Sequence, residues 1–234
     1  MERRIDRKQL ERTQQGQIYI GTSGYSYKGW EKTFYPRETP KRLQLEYYAN
    51  HFSTVEINST FYRLPSEKMV NGWRDRVGEE FVYTIKGSRF ITHMKKLVNL
   101  GPGLDRFFDR LEPMRHKIEM ILWQLPGILK KDIARLEDFL PRLPGSYNHS
   151  MEFRDRSWLD DPVFDLLHKY RIAHVSLSTL NMPANFTVTS HHVYLRFHGL
   201  EGGMAHDYTA EELKPWAEFA SEQAKRSWPI LITM

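Results

Sequence analysis

The sequence predicts an α/β fold, a TIM-like (β/α) barrel of seven clear parallel strands plus a short or incomplete eighth. Three observations carry this. Apolar runs of strand length alternate with helical patterns, the order that parallel pairing through right-handed crossovers requires. Several runs are apolar on both faces, as buried parallel strands are. Seven or eight such units, with no glycine-rich nucleotide loop after any strand, favour a closed barrel over an open doubly wound sheet.

Residues 1–16 read as a polar lead-in, and 17–234 as a single barrel domain. The first strand is expected near 17–23, followed by an aromatic loop, GYSYKGWEKTFYPRETP. A helix near 41–51 has only a rough helical period. Strand two is expected over 53–58. Pro65 and Ser66 then open a helix near 66–77, with Ser66 as N-cap and Met69, Val70, Trp73 and Val77 on one apolar face. Strand three falls at 81–86 and a long loop follows. A helix near 103–112 carries Leu104, Phe107, Phe108 and Leu111 on one side. Strand four spans 118–124, closed by Leu125 and Pro126. A helix at 131–140 precedes strand five at 148–153. Pro162 suits the first turn of a helix near 161–170. Strand six is expected at 172–177, with no helical period after it. Strand seven is 192–197. Thr209 and Glu212 have capping-box spacing for a last helix over about 209–225. Residues 230–233 are the short eighth strand, and no closing helix follows it.

Six runs, YIGTS, TVEINS, VYTIKGS, MILWQLP, MEFRD and VYLRFHG, end in polar or charged side chains. If the strands are parallel, those side chains converge on the C-terminal mouth, where such barrels place chemistry. Strand side chains alternate faces. Val55, Ile57, Tyr83, Ile85, Met151, Phe153, Leu195 and Phe197 therefore point out toward the helices. Glu56 with Asn58, Thr84 with Lys86, Glu152 with Arg154, and Tyr194 with Arg196 and His198 are left facing the axis.

The candidate catalytic residues are Glu56, Lys86, Glu152 and His198; the candidate ligand-binding residues are Ser23, Trp30, Asn58, Gln124, Arg154 and Arg196. Glu56 or Glu152 is a general base where burial raises its pKa. Lys86 is a Schiff-base amine only where its pKa is strongly lowered. Arg154 and Arg196 suit bidentate contacts to phosphate or carboxylate. His198 is a proton shuttle or metal ligand. The same groups would also form interior ion pairs, Glu56 with Lys86 and Glu152 with the arginines, that need no ligand. Tyr25, Tyr27, Trp30, Phe34 and Tyr35 would wall a pocket over the mouth, stack on bases, or cover the barrel as a satellite core.

Composition narrows the classes. Hydrophobic residues at 40% and charged ones at 27% are ordinary for a globular protein. No run approaches the roughly 18 apolar residues of a membrane span, so no membrane partner is expected. The polar N-terminus has no secretory apolar core. Cysteine is absent, which excludes disulfides, thiolate ligands and a cysteine nucleophile, and fits a cytoplasmic protein. The histidines have no H-E-x-x-H spacing, and neither metal nor cofactor is expected. A net charge of +5 permits phosphate-rich partners.

The blocks YIGTSGYSYKGWEKTFYP, HFSTVEINSTFYRLPS, FVYTIKGSRFITH, ILWQLP, MEFRDRSW and VYLRFHG resemble, in order, the signature of domain-of-unknown-function family 72, the YecE-like proteins. The resemblance runs over about residues 18–220. It implies a barrel related to the TIM barrel in bacterial or archaeal cytosol, and it supplies no activity. By fold analogy to barrel endonucleases and sugar isomerases it implies nucleic acid or phosphosugar as ligand. Its recurrent positions here are Gly21, Ser23, Trp30, Glu56, Asn58, Lys86, Gln124, Glu152, Arg154, Trp158, Arg196 and His198. Members continue through a fuller eighth strand and a closing helix, so an open last seam is one expectation for SWPILITM. Together these features point to a barrel that holds a small anionic or phosphorylated ligand, with hydrolase, lyase or isomerase chemistry all open. The alternatives are a nucleic-acid-binding module and a non-catalytic member.

Overall fold

Eight short apolar segments each hydrogen-bond to a strand on either side, and the sheet closes on itself. The computed structural model describes residues 16–226 and 228–234. Its strands are β1 (Ile18–Thr22), β2 (Thr54–Ile57), β3 (Val82–Lys86), β4 (Ile118–Gln124), β5 (His149–Glu152), β6 (Ala173–Ser178), β7 (Val193–Phe197) and β8 (Ile230–Thr233). They follow sequence order around a closed barrel, every neighbouring pair parallel. The lead-in expected over 1–16 lies, apart from Gly16, outside the described residues.

The eighth strand is short but closes the seam, which corrects the expectation of an incomplete strand. Its four residues pair with β7 from Val193↔Ile230 to Arg196↔Thr233, and with β1 from Ile18↔Ile230 to Gly21↔Thr233. Each residue thus has a partner on both sides, so four are enough. Gly21 is needed at the next seam, because a Cβ there would lie 2.0 Å from the Thr54 carbonyl oxygen of β2.

The helices are α1 (Gln44–Ala49), α2 (Glu67–Asp75), α3 (Gly103–Leu111), α4 (Ile133–Phe139), α5 (Asp161–Lys169) and α6 (Ala210–Ala224). Local signals start them. The Ser66 hydroxyl accepts from the Met69 amide, Asp132 accepts from the Arg135 amide, and Thr209 and Glu212 form a reciprocal capping box. The rough period near 41–51 resolves into a 3₁₀ turn, Lys41–Leu43, running into α1. Among the described residues no helix is long and apolar enough to cross a membrane.

Alternation sorts the core into two layers. Outward-facing Val55, Ile57, Tyr83, Ile85, Ile121, Trp123, Met151 and Phe153 pack with helix residues such as Trp73, Phe107, Leu136 and Leu167. Leu195, Phe197 and Ile230 pack on Trp216 and Ala220 of α6. Inside the barrel, Tyr19, Met120, Leu122, Ala173, Val175, Leu177, Tyr194 and Leu231 make an apolar plug. That plug removes water from the lower barrel and leaves the polar layer above it in a low-dielectric setting.

Candidate functional site

Glu56, near the end of β2, Glu152, ending β5, and Arg196, in β7, are fully or almost fully buried and meet across the barrel axis. Strand alternation aims them inward. The barrel's closure then joins residues far apart in sequence. One guanidinium nitrogen of Arg196 donates to Glu56 Oε1 at 2.6 Å and lies 3.4 Å from Ser23 Oγ. The other donates to Glu152 Oε2 and lies 3.1 Å from His198 Nε2. Ser23 Oγ in turn donates to Glu56 Oε1 at 3.3 Å. Tyr194 donates to Glu56 Oε2 and lies 3.1 Å from Thr233 Oγ1. Arg154 donates through Nε to Glu152 Oε1 and through a terminal nitrogen to His198 Nε2 at 2.7 Å.

The electrostatics follow from burial and charge count. Burial alone would push both carboxyls up, but the surrounding cations, Arg196 first, outweigh it. Glu56 is held below the usual carboxylate range and Glu152 at about 2. His198 is pulled down to about 4, chiefly by burial, with Arg196 and Arg154 adding to the effect against Glu152. Its imidazole is therefore neutral near pH 7. Because Nε2 accepts from two arginines, the ring proton sits on Nδ1.

Lys86 ends β3 on the same interior face. Its Nζ lies 4.7 Å from the centroid of the Phe61 ring, and among the described residues no carboxylate comes within 4.0 Å of it. The Glu56–Lys86 ion pair considered from sequence is thus not among the contacts; Arg196 occupies both carboxylates instead. Burial and then the Arg196 charge push the Lys86 ammonium pKa down, against the pull of Glu56 and Glu152.

The remaining candidates divide. Asn58 stands one step above Glu56, just before the helical turn Ser59–Tyr62, and makes no capping bond to it; its Oδ1 is buried and lacks a hydrogen-bond partner among the described residues. Thr84 Oγ1 and Arg196 Nε are in the same condition. Gln124 ends β4, half-buried. Trp30 is elsewhere. Its ring stacks on Tyr48 of α1 and meets Tyr27 and Phe34, in an aromatic cluster against the outer core. Sequence reasoning placed Tyr194 on the inward face with Arg196 without giving it a role, and did not select Thr233, Phe61 or His93. Phe61 lies on the Ser59–Tyr62 turn and His93 on a π-helical turn, Phe90–Met94, whose approach no period encodes, and their rings meet edge to face at 4.8 Å.

A surplus of positive charge remains at the mouth. Lys86, Arg154 and Arg196 face two carboxylates, and His198 adds no charge. Arg196 is consumed by the carboxylates. Arg154, with 24% of its side chain exposed, and half-buried Lys86 are the cations at the open end.

The chain is similar to several known proteins. UPF0759 protein YecE of Escherichia coli K12 is 31% identical over 138 residues, covering 58% of this chain and 48% of that protein. UPF0759 protein YunF of Bacillus subtilis is 28% identical over 157 residues, covering 63% of this chain and 54% of that one. The chain spans about half the length of these curated relatives. A crystal structure of a DUF72 family protein from Thermotoga maritima superposes with a TM-score of 0.82 at 26% identity, over 92% of this chain and 91% of its own. One from Enterococcus faecalis gives 0.77 at 18% identity over 94% and 90%, a likeness of fold alone. The family model described as "Protein of unknown function DUF72" matches residues 19–233, and the chain belongs to that family.

Proposed function

We propose that this barrel binds a small anionic ligand, bearing phosphate or carboxylate, at the C-terminal mouth, and that the adjacent groups carry out proton-transfer chemistry of hydrolase, lyase or isomerase type. The observation that carries the reading is Lys86, an interior lysine with no carboxylate within 4.0 Å among the described residues, facing the same mouth as Arg154. Charge kept inside without a counter-charge is costly, and an incoming anion relieves that cost.

The parts take distinct roles. Arg154 and Lys86 contact the anion. Arg196 lies beneath them, locked by Glu56 and Glu152, and holds the pair in place. Both carboxylates are held ionised by their arginines below the usual range, not raised as a general base requires, so they are weak proton acceptors and their part is to fix Arg196 and Arg154. Neutral His198 presents Nδ1–H to the ligand as a donor. The unpartnered Asn58 Oδ1 suits a ligand hydroxyl beside the anionic group.

The test is thermal stabilisation by inorganic phosphate and by phosphorylated sugars, each against its unphosphorylated counterpart, on the wild type and on Arg154→Met. Stabilisation by the phosphorylated member only, lost in the variant, is expected. Equal shifts for both members, or an unchanged shift in Arg154→Met, contradict the reading. A response to oligonucleotides alone would assign the surface to nucleic acid instead.

A further inference from the structure

We propose that Lys86 is a nucleophilic amine, and that the anionic ligand is a small aldehyde or ketone that forms an imine with it. The inference rests on the anion-binding reading and narrows it to carbonyl chemistry.

The lysine is placed for this by its main chain and its neighbours. The Thr60 hydroxyl contacts the Lys86 carbonyl oxygen at 2.7 Å and the Ile57 carbonyl oxygen at 3.0 Å, which ties the Ser59–Tyr62 turn to the ends of β2 and β3. Phe61, on that turn, lies under Nζ and restricts its swing. His93 meets the same Phe61 ring edge to face at 4.8 Å. Other lysines are engaged differently. Buried Lys117 donates to the Gly78 carbonyl at 3.0 Å and lies 3.7 Å from Glu79. Lys130 pairs with Asp155, and Lys131 with Asp160. Lys86 alone among these sits at the C-terminal end of a barrel strand, at the charged mouth.

The electrostatic setting favours a reactive amine. Burial lowers the ammonium pKa first, and the neighbouring Arg196 and Arg154 cations add to it, against Glu56 and Glu152. An amine partly stripped of water and set beside other cations is the usual way an enzyme keeps a lysine nucleophilic. Arg154 then holds the anionic group of the ligand at the open end and directs its carbonyl inward.

The step balances without a further reactant. The deprotonated fraction of Lys86, which burial enlarges, attacks the carbonyl carbon through Nζ, and the carbonyl π pair moves to oxygen, which takes a proton to give a carbinolamine. The hydroxyl leaves with a second proton as water. One C=O bond and two N–H bonds are thereby replaced by a C=N bond and one water molecule. The imine is an electron sink for cleavage or proton loss at the adjacent carbon, the chemistry of lyases and isomerases.

Reductive trapping tests this. The full chain is incubated with glyceraldehyde 3-phosphate or with glyceraldehyde, reduced with borohydride, and mapped by intact mass and peptide sequencing. The expected result is one adduct, on Lys86, formed about tenfold or more faster with the phosphorylated aldehyde, as electrostatic enrichment at a charged cleft allows. Lys86→Arg keeps the charge but has no primary amine. It should lose the adduct, while stabilisation of the wild type by inorganic phosphate reports on the anion site separately. Label spread over surface lysines with Lys86 unmodified would overturn the proposal, as would equal labelling of Lys86→Arg or equal rates for the two aldehydes. Phosphate stabilisation without trapping removes the imine and leaves the anion site. Absence of both removes the anion site as well.

Discussion

Taking away the Arg196 guanidinium would leave Glu56 and Glu152 buried across the axis from each other with their main counter-charge gone. Arg196→Met is therefore expected to destabilise the fold by about 3–5 kcal/mol, the usual cost of breaking a buried ion pair from one side. Urea unfolding of variant and wild type checks it; a loss below about 1 kcal/mol, the range of exposed pairs, would contradict the buried network. The same interior predicts a two-stage response to acid. Burial lowers His149, His174 and His198 to about 4 from an ordinary 6.5. The unfolded chain thus binds protons that these imidazoles exclude, and stability falls as pH drops from about 6.5 to about 4. Glu152, held at about 2 against an ordinary 4.5, contributes stability above 4.5 that is lost as pH falls through 2. Chemical denaturation from pH 7 to pH 3 should show the histidine decline setting in below about 6.5 and the Glu152 loss adding to it below about 4.5. At this scale the period of two was enough to pick out Glu56, Lys86, Glu152 and Arg196 as one inward set. It was not enough to say who pairs with whom. Only barrel closure brings Arg196, rather than Lys86, between the two carboxylates.

Helices α2, α4 and α6 begin where a short side chain accepts from an amide of the first turn, and these contacts are local. Ser66→Ala removes the acceptor for the Met69 amide at the start of α2 and should cost about 1 kcal/mol in thermal or urea unfolding. No measurable change would mean that packing of Val70 and Trp73, not the cap, fixes that helix start. Because caps and strand periods are written within a few residues, α2, α6, β4 and β8 were legible close to their observed ends. The segment after β3 was not. It reads as a plain loop, yet Phe90–Met94 forms a π-helical turn, with the Lys95 amide bonded to the Phe90 carbonyl. Buried Ile91 and Leu97 anchor it, and Leu97 adopts a φ of 70° that no local pattern announces. Such a turn is held by tertiary contacts, and π turns recur near functional sites. Trp30 shows the opposite effect. The aromatic loop after β1 left a pocket wall, a base-stacking surface and a satellite core open, and the rings of α1 draw that tryptophan into a cluster, the last of these.

Closure of the sheet is a property of the whole chain, and four residues at its end complete it. β8 bonds to β1 and β7 along its length, and the amides of Ser23 and Met234 continue the β1 seam by bonding to the Met234 and Gly21 carbonyls. Deleting residues 230–234 is expected to expose two parallel edges and the Tyr194–Thr233 side of the plug, and so to give soluble aggregates in light scattering where the full chain is monodisperse. A well-behaved deletion variant would mean that the other seven strands close without it. The barrel itself was legible from the order of strands and helices. The mouth was legible as a place, but its balance of charge was not, because that depends on which cations the carboxylates consume. If, as we propose, the mouth holds anions between Lys86 and Arg154, an anomalous difference map from a crystal soaked in selenate will show one there. A selenium peak within hydrogen-bond reach of Lys86 Nζ and the Arg154 guanidinium is the predicted result. A saturating soak that leaves the mouth without a peak, while other surface cations bind selenate, would contradict it.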